Sequence, residues 1–299
     1  MPYLVFCLML ALALAPTADA ADKAPLIRPA EKALGTPLAP GPSGALEVTA
    51  DQSLEWYEDK HLYVARGNAR AVRGDMTVEA DLLTAHEREK PAEGESKPAS
   101  TGGGNGDIDK MTAEGNVRVT TLTSKITGDR GVYDLNQRVA YVTGSNLKYE
   151  SESQTVTAKD SMEYWEDKKL AVARGNAKAV GKNRTVEADT LLAQFRDMPN
   201  GKTELHTMTA TGDVTVLTGK DVSRAEKAVY DSSRNIAILT GNVRITRPDG
   251  TQLTGDVGEV DFASNQSRLI NQGKGTRVRA LLSGKPGAQA SAKPLPAAK

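Results

Sequence analysis

The amino-acid sequence predicts an all-β protein: a long antiparallel roll or solenoid of two sheets, built by stacking strand-turn-strand units of about 30 residues. Two observations predict this fold class. Short segments alternate between apolar and polar residues with a period of two, as half-buried strands do. The sequence also repeats itself at a fixed offset, so the roll is predicted to be tandemly duplicated.

Both ends of the chain are predicted to lie outside the roll. Residues 4–15 are apolar and precede a small-x-small cleavage pattern at 18–20, so we interpret residues 1–20 as a secretory signal peptide. The apolar run is too short to span a bilayer, although an uncleaved membrane anchor is the alternative interpretation. Residues 21–45 are rich in proline and residues 283–299 form a Pro/Ala/Lys tail, so both are predicted to be disordered.

The remaining region, residues 46–282, is predicted to contain two copies of one module. Copy one spans 46–155 and includes a Pro/Gly/Ser-rich flexible insertion at 90–107, and copy two spans 156–282. The single cysteine, Cys7, lies in the predicted signal peptide, so neither a disulfide nor a cysteine-based site is expected in the mature chain. The sequence leaves open whether the copies form one continuous roll or two hinged modules.

The duplication is the strongest signal in the sequence. Residues 48–85 align without a gap to residues 156–193, at an offset of 108, and 24 of these 38 positions are identical. A second block follows at an offset of 97, in which Met111 corresponds to Met208. The offset falls because copy one contains most of the predicted insertion.

Each copy contains a smaller unit that begins with a Gly-Asn or Gly-Asp step. An acidic residue follows thirteen residues after the Asn or Asp in four units, and fourteen residues after it in the last. We predict that each Gly has a positive φ or forms a bulge where the sheet turns a corner. One acid per unit is too few for a calcium ladder, so we interpret the acids as acceptors for backbone donors at turns or strand ends. The steps are Gly67-Asn68, Gly115-Asn116, Gly175-Asn176, Gly212-Asp213 and Gly241-Asn242, and the acids are Asp81, Asp129, Asp189, Glu226 and Asp256.

The sequence contains no pattern typical of catalysis or of metal binding. His61, His86 and His206 are far apart and lack metal-ligand spacing, and nucleophile-elbow, phosphate-loop and dinucleotide motifs are absent. We therefore predict that the protein is not an enzyme and requires neither a metal nor another cofactor. The 38 basic and 38 acidic residues balance and aromatic residues make up 4%, which argues against a nucleic-acid partner.

Short motifs recur in the repeated units: residues 115–119 (GNVRV), 126–129 (ITGD), 132–134 (VYD), 139–144 (VAYVTG), 241–245 (GNVRI) and 253–256 (LTGD). These motifs resemble those of the OstA/LptA family. The resemblance implies an open antiparallel β-jellyroll whose apolar interior holds the acyl chains of lipid A. It further implies a periplasmic lipopolysaccharide-transport protein that joins related jellyroll domains of inner- and outer-membrane partners, bridging the two membranes for outer-membrane assembly.

The predicted site is the apolar interior row of the roll. From the residues alone, an ordinary dry core is the simpler interpretation, and a ligand-free structural or adhesive β-solenoid at the cell surface or in the periplasm is the alternative function. Alanines in this row indicate an under-filled interior, which, together with the resemblance, favours a lipid groove. The predicted lipid-binding residues are Val64, Ala69, Ala71, Val78, Val117, Val119, Ile126, Val132, Val172, Ala177, Ala179, Val186, Val214, Val216, Val229, Val243 and Ile245.

The two ends of the roll are predicted to mediate assembly, because exposed edge strands invite pairing with another chain. We predict head-to-tail association through the first ordered strand, near Val48, and the last, Arg277-Val278-Arg279. The repeated Glu-Asp-Lys segments at 58–60 and 166–168 follow aromatic pairs. Either a partner surface or packing within a hairpin explains them.

Overall fold

The computed structural model describes residues 46–88, 108–199, 203–264, 266–271 and 277–282. The predicted signal peptide, the Pro-rich extension, the insertion at 90–107 and the C-terminal tail from 283 lie outside these described residues. No helix of the described part is long and apolar enough to cross a membrane.

The described residues are almost entirely β-structure, since alternating β-branched residues favour strands. One short 3-10 helix, Glu58–Lys60, connects two strands. The strands are β1 (Glu47–Thr49), β2 (Ser53–Tyr57), β3 (Leu62–Arg73), β4 (Met76–Glu87), β5 (Ile108–Thr120), β6 (Ser124–Asp134), β7 (Val139–Thr143), β8 (Leu147–Ser151), β9 (Gln154–Ala158), β10 (Ser161–Trp165), β11 (Leu170–Gly181), β12 (Arg184–Asp197), β13 (Thr203–Thr218), β14 (Asp221–Asp231), β15 (Ile236–Thr246), β16 (Gln252–Asp261), β17 (Gln266–Ile270) and β18 (Arg279–Leu281).

Four pairs of short strands each behave as one long strand with a break. Strands β1 and β2 pair with the two halves of β3, and β17 and β18 pair with the two halves of β16. Strands β7 and β8 together pair with β6, and β9 and β10 together pair with β11. Joining these pairs turns the eighteen strands into fourteen long ones, each antiparallel to its neighbour in the chain.

The antiparallel ladder continues from copy one into copy two. Strand β7 pairs with β10, and β8 pairs with β9, so strands on either side of residue 155 are hydrogen-bonded to each other. The question that the sequence left open is thereby answered. The described strands form one roll, not two hinged modules.

The long strands bend at a common level, which we call the corner, and the corner divides each of them into two halves. Five of the strands carry a Gly-Asn or Gly-Asp step at this level. The five glycines have φ between 77° and 84°, and the Asn or Asp after each has φ between 42° and 50°. The registers shift at the same places, as between Arg66 and Ala69 or between Thr211 and Val214. The predicted positive φ and bulge are confirmed, because Gly and Asn tolerate the left-handed region better than other residues do.

The corner divides the roll into two leaves. We call the halves that align with β2, β7, β10 and β17 leaf one, and the halves that align with β1, β8, β9 and β18 leaf two. The larger buried cluster combines Met162 and Ala173 of leaf one with Tyr149 and Val156 of leaf two. The two leaves therefore pack face to face, with the corners along one side and the free strand ends along the other.

The repeated acids fasten neighbouring corners together. Asp81 accepts a hydrogen bond from Asn116 Nδ2 of the next strand at 2.9 Å, and Glu226 accepts one from Asn242 Nδ2 at 2.5 Å. For these two acids the structure differs from the prediction of a backbone donor, because each of them faces the Gly-Asn step of the adjoining strand.

Asp129 follows the prediction more closely, since its Oδ2 accepts from the backbone N–H of Ser145 at 2.7 Å and from the Ser145 hydroxyl at 2.9 Å. These bonds hold the pKa of Asp129 below its ordinary value. No group of three or more metal-ligating side chains occurs among the residues that the structure describes.

Candidate functional site

The interior of the roll is lined by apolar rows that run across the strands. In leaf one, a single row takes one residue from each of the fourteen long strands, and none of these residues is polar or charged. Large and small side chains are interspersed along the row, so facing layers can interdigitate. In register order the row is Leu54, Ala65, Leu83, Ala113, Gly131, Val142, Met162, Ala173, Leu191, Ala210, Ala228, Leu239, Gly258 and Leu269.

Thirteen of the seventeen residues predicted to bind lipid lie on the interior faces of the two leaves. Eleven of them are buried, and Val78 and Val119 are partly buried against the core. The buried members are Ala69, Ala71, Val117, Ile126, Ala177, Ala179, Val186, Val214, Val216, Val243 and Ile245.

The other four residues, Val64, Val132, Val172 and Val229, are corrections to the predicted interior row, because they project from the outer face, where Val64 and Val172 are nonetheless buried, each 5% exposed. Val172 stands between Ala171 and Ala173, which both belong to the core. Successive residues of a strand point to opposite faces, so its side chain points outward.

For Val132 and Val229 the error arises at the corners, where the alternation is reset, whereas Val64 and Val172 break the alternation of their own strands with Ala69 and Ala177. On the strands that carry a Gly-Asn or Gly-Asp step, the interior residues on either side of the corner are four positions apart, as with Ala210 and Val214. On the strands that carry one of the repeated acids, which we call acid strands, these interior residues are three positions apart, as with Ala225 and Ala228. A strict period of two continued through the corner of an acid strand therefore selects the outward-facing Val132 and Val229.

Sequence reasoning missed the large side chains of the interior. Tyr149, Met162, Tyr164, Phe195 and Met208 are all buried in the larger cluster. A usable signal was present in β10, where Met162 and Tyr164 stand two positions apart on one face. The alternating valine and alanine residues of the longer strands are the more conspicuous pattern in the sequence.

The two parts of the interior are filled differently. The smaller cluster is formed by strands of copy one and consists mostly of alanine: Ala65, Ala69, Ala71, Ala80, Leu83, Ala113 and Val117. The larger cluster extends from β6 through β15 and contains the aromatic and methionine side chains. The interior between β3 and β5, in the first part of copy one, is therefore lined by smaller side chains than the rest of the roll.

The interior of copy one opens to solvent at the edge strand β2. Leu54 is 62% exposed and Trp56 is 58% exposed, although both occupy interior positions. Trp56 stacks on Tyr63 of the neighbouring strand, with ring centroids 6.0 Å apart and an interplanar angle of 7°. Apolar side chains in solvent at the end of an apolar row form an accessible mouth.

The Glu-Asp-Lys segments pack within their own region of the roll. Tyr133 donates a hydrogen bond from its hydroxyl to Glu166 at 2.6 Å, and Arg138 forms ion pairs with Glu166 and Asp167 at 2.9 Å each. Lys168 lies 4.1 Å from the centroid of the Trp165 ring. Burial and the nearby Glu166 raise the pKa of Tyr133 above its ordinary value. Most of these contacts join the 166–168 segment to the neighbouring β6–β7 turn, and only the Lys168–Trp165 contact lies within its own hairpin, so they favour packing within the roll.

Comparison with known proteins identifies the fold. The family model for LptA/(LptD N-terminal domain) LPS transport protein matches residues 47–164 and again residues 155–266. The chain belongs to this family. The two matches follow the internal duplication and confirm the OstA/LptA resemblance, and members of the family are transport proteins.

One solved structure illustrates the relation of this LptA/LptD-type chain to others. It is the crystal structure of LptH, the LptA homologous periplasmic component of the conserved lipopolysaccharide transport device from Pseudomonas aeruginosa. The similarity covers 44% of this chain and 95% of the LptH chain, with 15% sequence identity and a TM-score of 0.38. No curated protein sequence matched the chain.

Proposed function

We propose that the protein is a periplasmic carrier that holds the acyl chains of lipid A in the interior of the roll and passes lipopolysaccharide between the inner and outer membranes. The observation that carries this proposal is the apolar row of leaf one. It runs through all fourteen long strands without a polar residue and ends at the exposed Leu54. Acyl chains need a continuous apolar surface, and membership of the LPS transport family supplies the substrate class.

The part of the interior best suited to receive the lipid is the alanine-rich cluster of copy one. Its side chains are the smallest of the interior, and Leu54, Trp56 and Tyr63 provide exposed apolar surface at its mouth. A chain that enters there replaces contacts with water by apolar contacts. Each buried methylene contributes about 0.8 kcal/mol, so a few methylenes make a measurable affinity.

A photo-crosslinking amino acid should distinguish the interior face from the outer face. Val119 and Val132 are both half-buried valines on neighbouring strands, but only Val119 faces the interior. We expect a benzophenone side chain at Val119 to crosslink lipopolysaccharide at least about tenfold more efficiently than one at Val132. The readout is a mass-shifted band that is detected with an antibody to lipopolysaccharide.

Equal labelling at the two positions would contradict the proposed groove. Absence of labelling at Val119 and also at Val78, with native-like circular dichroism, would instead support the ligand-free structural solenoid. That second candidate is favoured by the filled interior of copy two, where Leu239 and Ile245 are almost completely buried. Mass spectrometry of lipid that co-purifies with the native protein provides an independent check.

We further propose that the protein assembles head to tail through its two edges. Val48 lies on β1, which pairs with β3, and Arg279 lies on β18, which pairs with β16 at the opposite end of the ladder. Arg277 and Val278 precede β18 and are exposed. No other described strand pairs with either edge, so both present backbone groups to a further copy or to a partner jellyroll.

Charging an apolar residue at one edge should weaken this association. We expect Leu54→Arg to raise the dissociation constant for self-association about tenfold or more, because a charge would be buried at the junction. The matched control is Leu122→Arg, since Leu122 is 79% exposed in the turn between β5 and β6, away from both edges. Sedimentation velocity over a concentration series measures the effect. Loss of association in both variants, or in neither, would contradict the edge assignment.

A further inference from the structure

Arg184 crosses the open side of the roll, opposite the corners. It is the first residue of β12 in leaf two, where its register partner is Thr218. Its guanidinium carbon lies 3.4 Å from the centroid of the Phe262 ring and 5.2 Å from that of Tyr230. Both rings belong to leaf one, since Tyr230 pairs with Met208 and Phe262 directly follows β16. The side chain therefore connects the free ends of the two leaves.

The surroundings of Arg184 are aromatic. Tyr230 and Phe262 pack edge to face, with centroids 5.9 Å apart, so the guanidinium lies against a pair of rings. Its Nε atom is buried and has no hydrogen-bond partner among the described residues. Burial is the largest cause that lowers the pKa of Arg184 from its ordinary value. A cation held by aromatic faces and by a side-chain hydrogen bond with Tyr230, with its Nε donor unused, is poised to donate a hydrogen bond to an anionic oxygen.

The corresponding position of copy one lacks this contact. Residue 76, which is 108 positions earlier, is a methionine and carries no charge. Met76 lies on β4, beside the small, alanine-rich cluster, whereas Val186 and Tyr230 near Arg184 belong to the larger cluster. The arginine bridge therefore lies beside the filled part of the interior.

We propose that Arg184 is a latch that holds the two leaves of copy two together, and that a phosphate group of an anionic lipid headgroup is the ligand that releases it. The second part of this proposal rests on the proposed function. A phosphate accepts two parallel, charge-assisted hydrogen bonds from a guanidinium, and these are stronger than contacts with ring faces. Once Arg184 turns to the headgroup, the free ends of the leaves can separate and admit the acyl chains.

Distances between spin labels across the open side test the latch. Lys182 in leaf two and Ala263 beside Phe262 in leaf one are both exposed, and Cys7 is the single native cysteine. The full chain with Cys7→Ala, Lys182→Cys and Ala263→Cys is labelled and measured by pulsed electron paramagnetic resonance. Arg184→Met places there the residue that copy one has at position 76, so the fold is expected to persist. Arg224→Ala, on the exposed outer face, is the matched control.

We expect Arg184→Met to lengthen and broaden the distance distribution without any ligand, and Arg224→Ala to leave it unchanged. An unchanged distribution in Arg184→Met overturns the latch, whether or not the protein binds lipid. A native protein that fails to bind lipid A overturns the proposed function, while the ligand-free comparison still decides the latch.

The role of phosphate is decided with three additions to the native protein. Bisphosphorylated lipid A should lengthen the distance, whereas dephosphorylated lipid A and inorganic phosphate alone should not. Equal opening by the dephosphorylated lipid overturns the role of phosphate. Opening by inorganic phosphate alone overturns the assignment to a lipid headgroup. If Arg184→Lys opens as readily as Arg184→Met, a planar guanidinium rather than charge alone is required, as the stacking on Phe262 predicts.

Discussion

Val214→Asp is expected to lower the free energy of unfolding by about 3–5 kcal/mol, because a buried charge without a partner costs about that much. Val214 is 1% exposed and belongs to the larger core cluster. Its register partner across the ladder is Ala225, which offers no hydrogen-bond donor from its side chain. Urea denaturation followed by circular dichroism measures the change, and lipid crosslinking of the variant should be lost with the fold.

The control for this substitution is Val229→Asp. Val229 is a half-buried valine on the neighbouring strand β14, but it lies on the outer face. A carboxylate there remains in contact with water, so we expect a change within about 1 kcal/mol. A decrease in the free energy of unfolding equal to that of Val214→Asp would show that Val229 faces the interior and not the outer face.

Gly115→Ala is expected to cost about 2–4 kcal/mol. Gly115 has φ of 77°, where a side chain costs about 1–2 kcal/mol, and overpacking adds about 1–3 kcal/mol. A methyl group at this position would lie 2.8 Å from Cγ of Asp81, the residue that accepts the hydrogen bond from Asn116. The substitution therefore strains the backbone and displaces the acid that fastens the two corners.

Gly74→Ala separates these two contributions. Gly74 also has a positive φ, 57°, but an added Cβ would meet nothing within 4 Å. We expect it to cost about 1 kcal/mol, from backbone strain alone. Equal losses in the two variants would mean that the close approach of Asp81 contributes nothing. The same denaturation measurement serves both glycines.

Much of the structure of this protein follows from the conformational preferences of short sequence segments. The positive φ at Gly115 and Asn116 depends on the conformational preferences of those residues, so the Gly-Asn pattern predicted the corners without knowledge of their surroundings. The strand alternation is likewise a local property, and it placed most of the interior correctly. The duplication can be detected by comparing the sequence of the chain with itself.

The faces of Val132 and Val229 were decided by tertiary structure. The corner inserts a step of three residues on one strand and four on the next, because the two strands follow inner and outer paths around the same bend. A period of two read along one strand does not record that difference. The pairing of both strands does, since it fixes which residues stand opposite each other.

The sequence by itself therefore determined the strands, their turns, the duplication and the family. Only the tertiary structure decided that the copies share one ladder, that Trp56 remains exposed at an open edge, and that Arg184 lies on Phe262. Each of these depends on segments that are distant in the chain, and Arg184 and Phe262 are 78 residues apart. Local preferences act over a few bonds, whereas such contacts arise only when the two leaves close over a common interior.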